Sequence, residues 1–313
     1  MSKGKGMLVA LPERWDEACF AVPALRALSR KGLIGGYVCH EDQEAFWKII
    51  SDLPYHLYHQ KTPTADLSKR VGTNWEATLC WEEALPAKVF SKLGIDRRLG
   101  PNQGKLAKLL THAIDVAESP TEHRVRLYLN TAEALGVKVD RPEFFTPAPV
   151  GIPAEPKTIL LCPGSDFGLS YEWPLDRWQE LAELLLEQGK RITIAGVVGG
   201  RGRGKILAQQ LGKDVDFFHT SPLAASLPLL AAHQVLIAAD GSLPHLAAHA
   251  GSTCVTLFGP NDSVWKRPLG KRHVVVKKHV ECAPCLSPKC LMDGRCQTEL
   301  EVDDVLKAIP KSF

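Results

Sequence analysis

The sequence predicts an α/β protein of two domains, each a parallel sheet wound with helices. Three observations carry that prediction. Short apolar runs alternate with amphipathic stretches along most of the chain, the pattern of strands buried between helices. At 313 residues the chain exceeds one ordinary core and suits two domains of about 150 residues each. Between the halves lies RPEFFTPAPVGIPAEP (141–156), proline-dense and without periodicity, which reads as a linker. The expected domains are 1–145 and 146–313.

In the first half, GMLVALP (6–12) reads as a buried strand. Residues 22–31 read as a helix with Pro23 near its start, where a missing N–H costs least. Strand-like runs follow at 36–39, 55–58 and 77–81, with a short helix at 86–93. A longer helix covers 123–135 and ends at Gly136. The second half restarts with a strand at 158–164, then a helix at 175–188, a strand at 191–197 and a helix near 205–211. A segment at 227–232 leads to a strand at 235–239, a helix, a strand at 254–258 and a last helix at 302–309.

Composition narrows the class. Hydrophobic residues make up 45% and charged residues 23%, the balance of a globular protein in water. The formal net charge of +3 is spread evenly over both halves, so no basic half or stripe points to nucleic acid. The N-terminus starts basic, but its apolar run covers only 7–11, and no 18-residue apolar stretch exists. The expectation is therefore a cytoplasmic protein, in which nine cysteines are reduced or metal-bound. Four of them, Cys282, Cys285, Cys290 and Cys296, fall within fifteen residues. That spacing suits a tetrahedral structural zinc site, and it also suits packed free thiols. Either way the 282–296 loop is a staple and not a catalyst. Cys19, Cys39, Cys80, Cys162 and Cys254 lie mostly in apolar runs and read as core.

The most informative stretch is VLIAADGSLPHLAAHAGSTCVTLFGP (235–260). An apolar run ends in Asp240-Gly241-Ser242, an Ala/Leu/His-rich helix follows, and a second apolar run stops at Gly259-Pro260. Such a strand–turn–helix offers backbone N–H groups and the positive end of a helix dipole, a natural seat for a diphosphate. The plainer reading is a βαβ crossover with an Asp cap. A second stretch, LLCPGSDFGLSYEWPLDRWQELAELL, places Pro163-Gly164-Ser165 after a strand and Trp173-Pro174 before a helix. Near the start of the chain, LVALPERWDEACFAVPALRAL puts Asp16 and Glu17 in the first turn of a helix, where an acidic residue either caps or works as a base.

Together these stretches resemble the ADP-heptose:lipopolysaccharide heptosyltransferases, glycosyltransferase family nine. That family typically reads Asp-Ser-Gly-Leu-Met-His-Leu-Ala-Ala-Ala, then Gly-x-Pro, an apolar strand and Phe-Gly-Pro-Thr-Asp. Asp240, Leu243, His245, Leu246, Ala247, Ala248, Gly251, Phe258, Gly259, Pro260 and Asp262 hold their places here. Ser and Gly are exchanged at 241–242, and Asn261 replaces Thr. The resemblance implies a GT-B architecture of two facing Rossmann-like domains with a central cleft. It implies an inverting glycosyltransferase that takes a nucleotide-diphospho-sugar donor and a glycan or glycolipid acceptor at the inner membrane surface, with no cofactor required for catalysis. On this pattern the donor site draws on Asp240, Gly241, Ser242, Leu243, His245, Gly164 and Ser165. The family's base falls on Glu17, or on Asp16 with a one-residue slip, and the family's preceding Gly is missing. Its diphosphate-neutralising Lys is Tyr171 here, so either Arg177, or Arg201 and Arg203 in a Gly-rich run that otherwise reads as solvated loop, substitutes, or donor affinity is weak. Lys105 and Lys108 stand where the family keeps an acceptor-side loop; a solvated helix face is the other reading. The lost Lys and altered Gly-Asp also admit a degenerate GT-B protein that binds a nucleotide or glycan without transfer.

Overall fold

A computed structural model describes residues 6–117, 119 and 121–311; most of the basic start, residues 1–5, lies outside them. The chain divides into two compact units, Met1–Thr146 and Pro147–Phe313. The first holds β1 (Met7–Ala10), β2 (Ile34–His40), β3 (Tyr55–Tyr58), β4 (Ala77–Leu79), β5 (Arg98–Pro101) and β6 (His112–Ile114). The second holds β7 (Glu155–Cys162), β8 (Arg191–Gly196), β9 (Val215–His219), β10 (His233–Ala239), β11 (Thr253–Phe258) and β12 (Val274–Lys277). Each set forms one six-stranded sheet with parallel pairing, in the orders β3-β2-β1-β4-β5-β6 and β12-β11-β10-β7-β8-β9. Both orders start at a central strand, run outward, and restart on its other side. The reversal falls between β1 and β4 in the first unit and between β7 and β10 in the second. Loops leaving the carboxyl ends of such a pair diverge and leave a crevice, the usual ligand position in doubly wound sheets.

Strands with helices on both faces must be apolar along their length. β1 is buried at every residue, and so is β10 from Val235 onward. In the second unit Ile159, Leu161, Ile237 and Val255 pack with Trp173 and Trp178, whose rings meet edge-on at 5.3 Å. The Trp173 indole N–H donates to Leu300 O at 2.8 Å, tying the C-terminal segment to this core. In the first unit Leu8, Val38, Leu67 and Phe90 form the equivalent cluster.

Several elements depart from the sequence expectation for identifiable reasons. The first helix spans Trp15–Arg30, so Pro23 lies inside it and not near its start. Twelve of its residues are buried, and that packing offsets the backbone bond Pro23 cannot make. The segment expected as a linker is partly structured. Pro142–Phe145 forms a 3-10 turn, the Arg26 guanidinium donates to Phe144 O at 3.0 Å and Thr146 O at 2.6 Å, and β7 begins at Glu155. β5, β6, β9 and β12 have three to five residues each and carry no usable periodicity, so pairing alone defines them. The Gly-rich run at 199–205 is a solvated loop only in part, exposed at Gly199, Arg201 and Gly202. Gly200 is buried against Gly164, where an added Cβ would stand 2.8 Å from the facing Cα, and Arg203 opens the helix Arg203–Leu211. No helix among the described residues is long and apolar enough to cross a membrane.

One buried group gives the fold a pH dependence. His273 Nδ1 accepts the Cys254 N–H at 3.1 Å, and burial, helped by Arg272, pushes the imidazole down to about 4. The native state therefore binds this proton less readily than the unfolded chain. Stability held above the ordinary histidine value is lost as pH falls from about 6.5 toward 4. His273→Gln should flatten that loss in melting curves taken across this window; an unchanged slope would contradict the assignment.

Candidate functional site

The reversal in the second sheet brings two loops together. After β10 comes Asp240, fully buried, whose N–H donates to Leu257 O at 3.1 Å. After β7 comes Ser165, whose hydroxyl donates to the Asp240 carbonyl at 2.6 Å. The Asp240 carboxylate accepts the Asn261 amide at 2.9 Å, linking the turn to the end of β11. Gly241 is needed by close approach, since a Cβ there would stand 2.7 Å from Asp166 Oδ1. Of the donor-site residues expected from sequence, Gly164, Ser165, Asp240, Gly241, Ser242 and Leu243 gather here.

The turn is not an empty anion seat as expected. The Ser242 N–H at the start of the helix Ser242–Ala250 donates to Asp166 Oδ1 at 2.8 Å. A carboxylate thus already answers the positive helix end, for the reason a phosphate would. His245 lies in the first turn of this helix at 1% exposure and is packed away from solvent.

The candidate substitute cations take different places. Arg177 turns to the C-terminal segment, where its guanidinium donates to Leu300 O at 3.2 Å and pairs with Glu301. It does not join the turn, which corrects its expected role. Arg203 stands 3.4 Å from Glu172 and donates to Trp173 O at 2.9 Å, while Glu172 accepts the Ser165 N–H at 3.2 Å. Burial pushes the Glu172 carboxyl up, opposed by the Ser165 N–H and by Arg203 and Arg201. The basic charge behind the 163–166 loop therefore comes from Arg201 and Arg203. Tyr171, at the Lys position, is buried.

A cavity of 310 Å³ opens at the ends of β11 and β12, lined by Gly259, Asn261, Asp262, Lys277, His279 and neighbours. Asn261 belongs to both this cavity and the Asp240 turn. The volume is at the lower end of small-ligand sites.

In the first unit the reversal between β1 and β4 gathers carboxylates. Asp16 is fully buried and paired with Arg14 at 3.0 Å. Glu17 is 7% exposed; Arg124 Nε reaches its two oxygens at 3.1 and 3.0 Å, and the Tyr128 hydroxyl donates at 2.6 Å. Both residues expected as the base are thus held by partners. After β4 stands Glu82, half-buried, whose Oε1 accepts the Glu13 N–H at 2.7 Å. Lys105 and Lys108 are exposed on the 3-10 turn Leu106–Leu109 and its approach, not on a helix face.

The thiols of the four-Cys loop lie near one another: burial, with Cys282, Cys290 and Cys285 adding, pushes the Cys296 thiol up to about 11. Among the described residues no group of three or more His, Cys, Asp or Glu side chains is set to hold a metal. Cys282 and Cys285 are exposed, whereas Cys296 is buried in the short helix Arg295–Thr298, its sulfur 3.0 Å from where a Gly259 Cβ would stand. Cys19, Cys39, Cys80, Cys162 and Cys254 are buried thiols, as expected of core.

Asp166, Arg124, Tyr128 and Glu82 were not singled out by sequence, and Asn261 was noted only as replacing Thr in the motif. Arg124 and Tyr128 stand four apart at one helix end, a spacing that puts both on one face. Glu82 directly follows an apolar strand, the position where doubly wound sheets place ligand groups.

Comparison with known proteins adds to this geometry. The family model described as "Glycosyltransferase family 9 (heptosyltransferase)" matches residues 102–295. Lipopolysaccharide heptosyltransferase 1 of Pseudomonas aeruginosa is 32% identical over 119 residues, covering 38% of this chain and 33% of that protein. The match spans about a third of the length of the curated relatives. Among solved structures, E. coli ADP-heptose lps heptosyltransferase II superposes with a TM-score of 0.76 at 17% identity, covering 97% of each chain. E. coli heptosyltransferase WaaC with ADP-2-deoxy-2-fluoro heptose gives 0.73 at 18% identity, covering 98% of this chain and 99% of that one. These likenesses establish a shared fold.

Proposed function

The chain belongs to glycosyltransferase family 9, and from that premise we propose that it moves a heptose from ADP-heptose to a lipopolysaccharide-type acceptor with inversion. The observation that supports this reading best is the placing of the family's motif residues in each unit at the reversal of the sheet. The second unit binds the donor. Its diphosphate lies against the 163–166 loop and the 240–243 turn, with Arg201 and Arg203 supplying the charge that the family's Lys would give. Asp240, fixed by Ser165 and Asn261, holds the turn in shape, and the adjoining cavity takes the sugar. Asp166 leaves the Ser242 N–H when phosphate arrives.

The first unit supplies the proton acceptor and the acceptor contacts. In this reading Lys105 and Lys108 face an anionic glycolipid, and the work is done in the cytoplasm at the inner membrane surface. A carboxylate takes the acceptor hydroxyl's proton as the oxygen attacks the anomeric carbon, and Asp16 and Glu17 are the family's positions for it. The anomeric bond to the diphosphate breaks, and ADP departs with that electron pair. Helix N-termini and arginines offset the leaving charge.

Titration with ADP-heptose and a panel of other nucleotide sugars, followed by melting temperature and by ADP release with acceptor, tests this. Selective stabilisation by ADP-heptose together with acceptor-dependent ADP release is expected. Stabilisation without release would favour the binding-only reading, to which the Asp166 cap on the turn lends support. No stabilisation by any nucleotide sugar would overturn both.

A further inference from the structure

We propose that the proton acceptor of this transfer is Glu82, with Glu13, Arg14 and Glu17 as the charges set around it; this rests on the function proposed above. Three observations lead there. First, Glu82 leaves the carboxyl end of β4 directly across the sheet reversal from the loop after β1, and the Glu13 N–H bond at 2.7 Å closes the two loops on each other. Second, accessibility separates the carboxylates. Asp16 and Glu17 are buried and held by Arg14, Arg124 and Tyr128, whereas Glu82 is half-buried and makes no ion pair among the described residues. Third, the adjacent Trp81 is 4% exposed, its ring 5.2 Å from that of Tyr128, and its indole N–H has no partner among the described residues. A buried donor left unpaired is costly, so this N–H points to an oxygen that arrives with the substrate.

The surroundings suit the task. Burial pushes the Glu82 carboxyl up to about 7, with the Glu13 and Glu17 carboxylates adding to the rise, against the Glu13 N–H and Arg14. A base is most effective when it titrates near the working pH. Tyr58 faces the group through its 2.7 Å bond to Glu13, and the Cys80 thiol and the Tyr128 phenol are themselves pushed up, so they stay protonated there. In the step itself the acceptor O–H bond breaks and its proton passes to a Glu82 oxygen. The freed electron pair forms the bond to the anomeric carbon, and the diphosphate leaves with the old bond's pair. Glu82 then returns the proton to solvent.

Because the native carboxyl binds its proton more tightly than the unfolded one, this group's contribution is complete below the ordinary carboxylate range. It is lost as pH rises toward 7. Two readouts therefore test the assignment on the full chain: turnover of ADP-heptose between pH 5.5 and 8.5, and melting temperature between pH 5 and 8, for wild type, Glu82→Gln and Glu82→Asp. The Gln variant keeps an acceptor for the Glu13 N–H. It is expected to lower kcat about 10²- to 10⁴-fold, to leave donor KM within a few-fold, and to abolish the acid limb. Glu82→Asp should restore part of the rate with an acid limb, and the melting temperature of Glu82→Gln should fall less than that of wild type as pH rises. A Gln variant with kcat within threefold of wild type and the same acid limb would overturn Glu82 while leaving the transferase intact. An unchanged pH slope of melting would overturn it as the titrating group. A wild type inert toward ADP-heptose and acceptor would overturn the transfer reading, and the base with it.

Discussion

Glu17→Ala is expected to cost about 3–5 kcal/mol of stability, the range for removing one partner of a buried ion pair. Arg124 and Glu17 retain only 19% and 10% side-chain exposure, and the Tyr128 hydroxyl adds a third bond to the same carboxylate. Truncating Glu17 strands a guanidinium and a phenol where little water reaches them. Denaturant unfolding of the single variant and of Glu17→Leu with Arg124→Met separates pairing from charge. The double variant should recover most of the loss, because it removes both charges and fills their volume. A single-variant cost below about 1 kcal/mol would contradict the buried-pair description. The same pair bears on catalysis. With Glu82 as the base, the double variant assayed well below its melting point keeps an acid limb, moved to lower pH because Glu17 no longer raises the Glu82 carboxyl. A collapse of turnover there would return the role to Glu17.

The second large effect is expected in the other unit. Asp240→Ala removes the charged acceptor of the Asn261 amide at a fully buried position. About 1.5–3 kcal/mol is the usual range for a hydrogen bond to a charged group. Donor affinity should fall at least about tenfold in titration calorimetry with ADP-heptose, because the turn loses its tie to β11 and to the cavity. Pairing Asp240→Ala with Asn261→Ala should cost less than the sum of the singles, since the second change removes the orphaned amide. Strict additivity would mean that the contact does not hold the turn.

Much of the architecture could be read from apolar runs long enough to show a pattern. β1, β7, β10 and β11 and the helices after them were visible because burial on both faces demands such runs. β5, β6 and β12 were not, being three or four residues long and identified only by their neighbours. In the site, Asp240, Gly241, Ser165 and Gly164 lie in contiguous motifs and were legible. Arg203 was legible as a candidate cation, but Asp166 was not, because it acts on a residue 76 positions away. The four cysteines of the 282–296 loop stay near one another, but Cys296 is buried under Gly259 while Cys282 and Cys285 are exposed, a difference that spacing does not foretell. Glu17 shows the limit from the other side. Its place in the chain suggests a base, and only the packing of Arg124 and Tyr128 reveals how it is held.

The central claim is a single displacement at the anomeric carbon of ADP-heptose. It is tested most directly by incubating the protein with ADP-heptose of known anomeric configuration and a lipopolysaccharide-core acceptor, then reading the new glycosidic linkage by NMR. The account predicts one heptose transferred per ADP released, with the anomeric configuration inverted. A retained configuration, or ADP release without any new linkage, would contradict it.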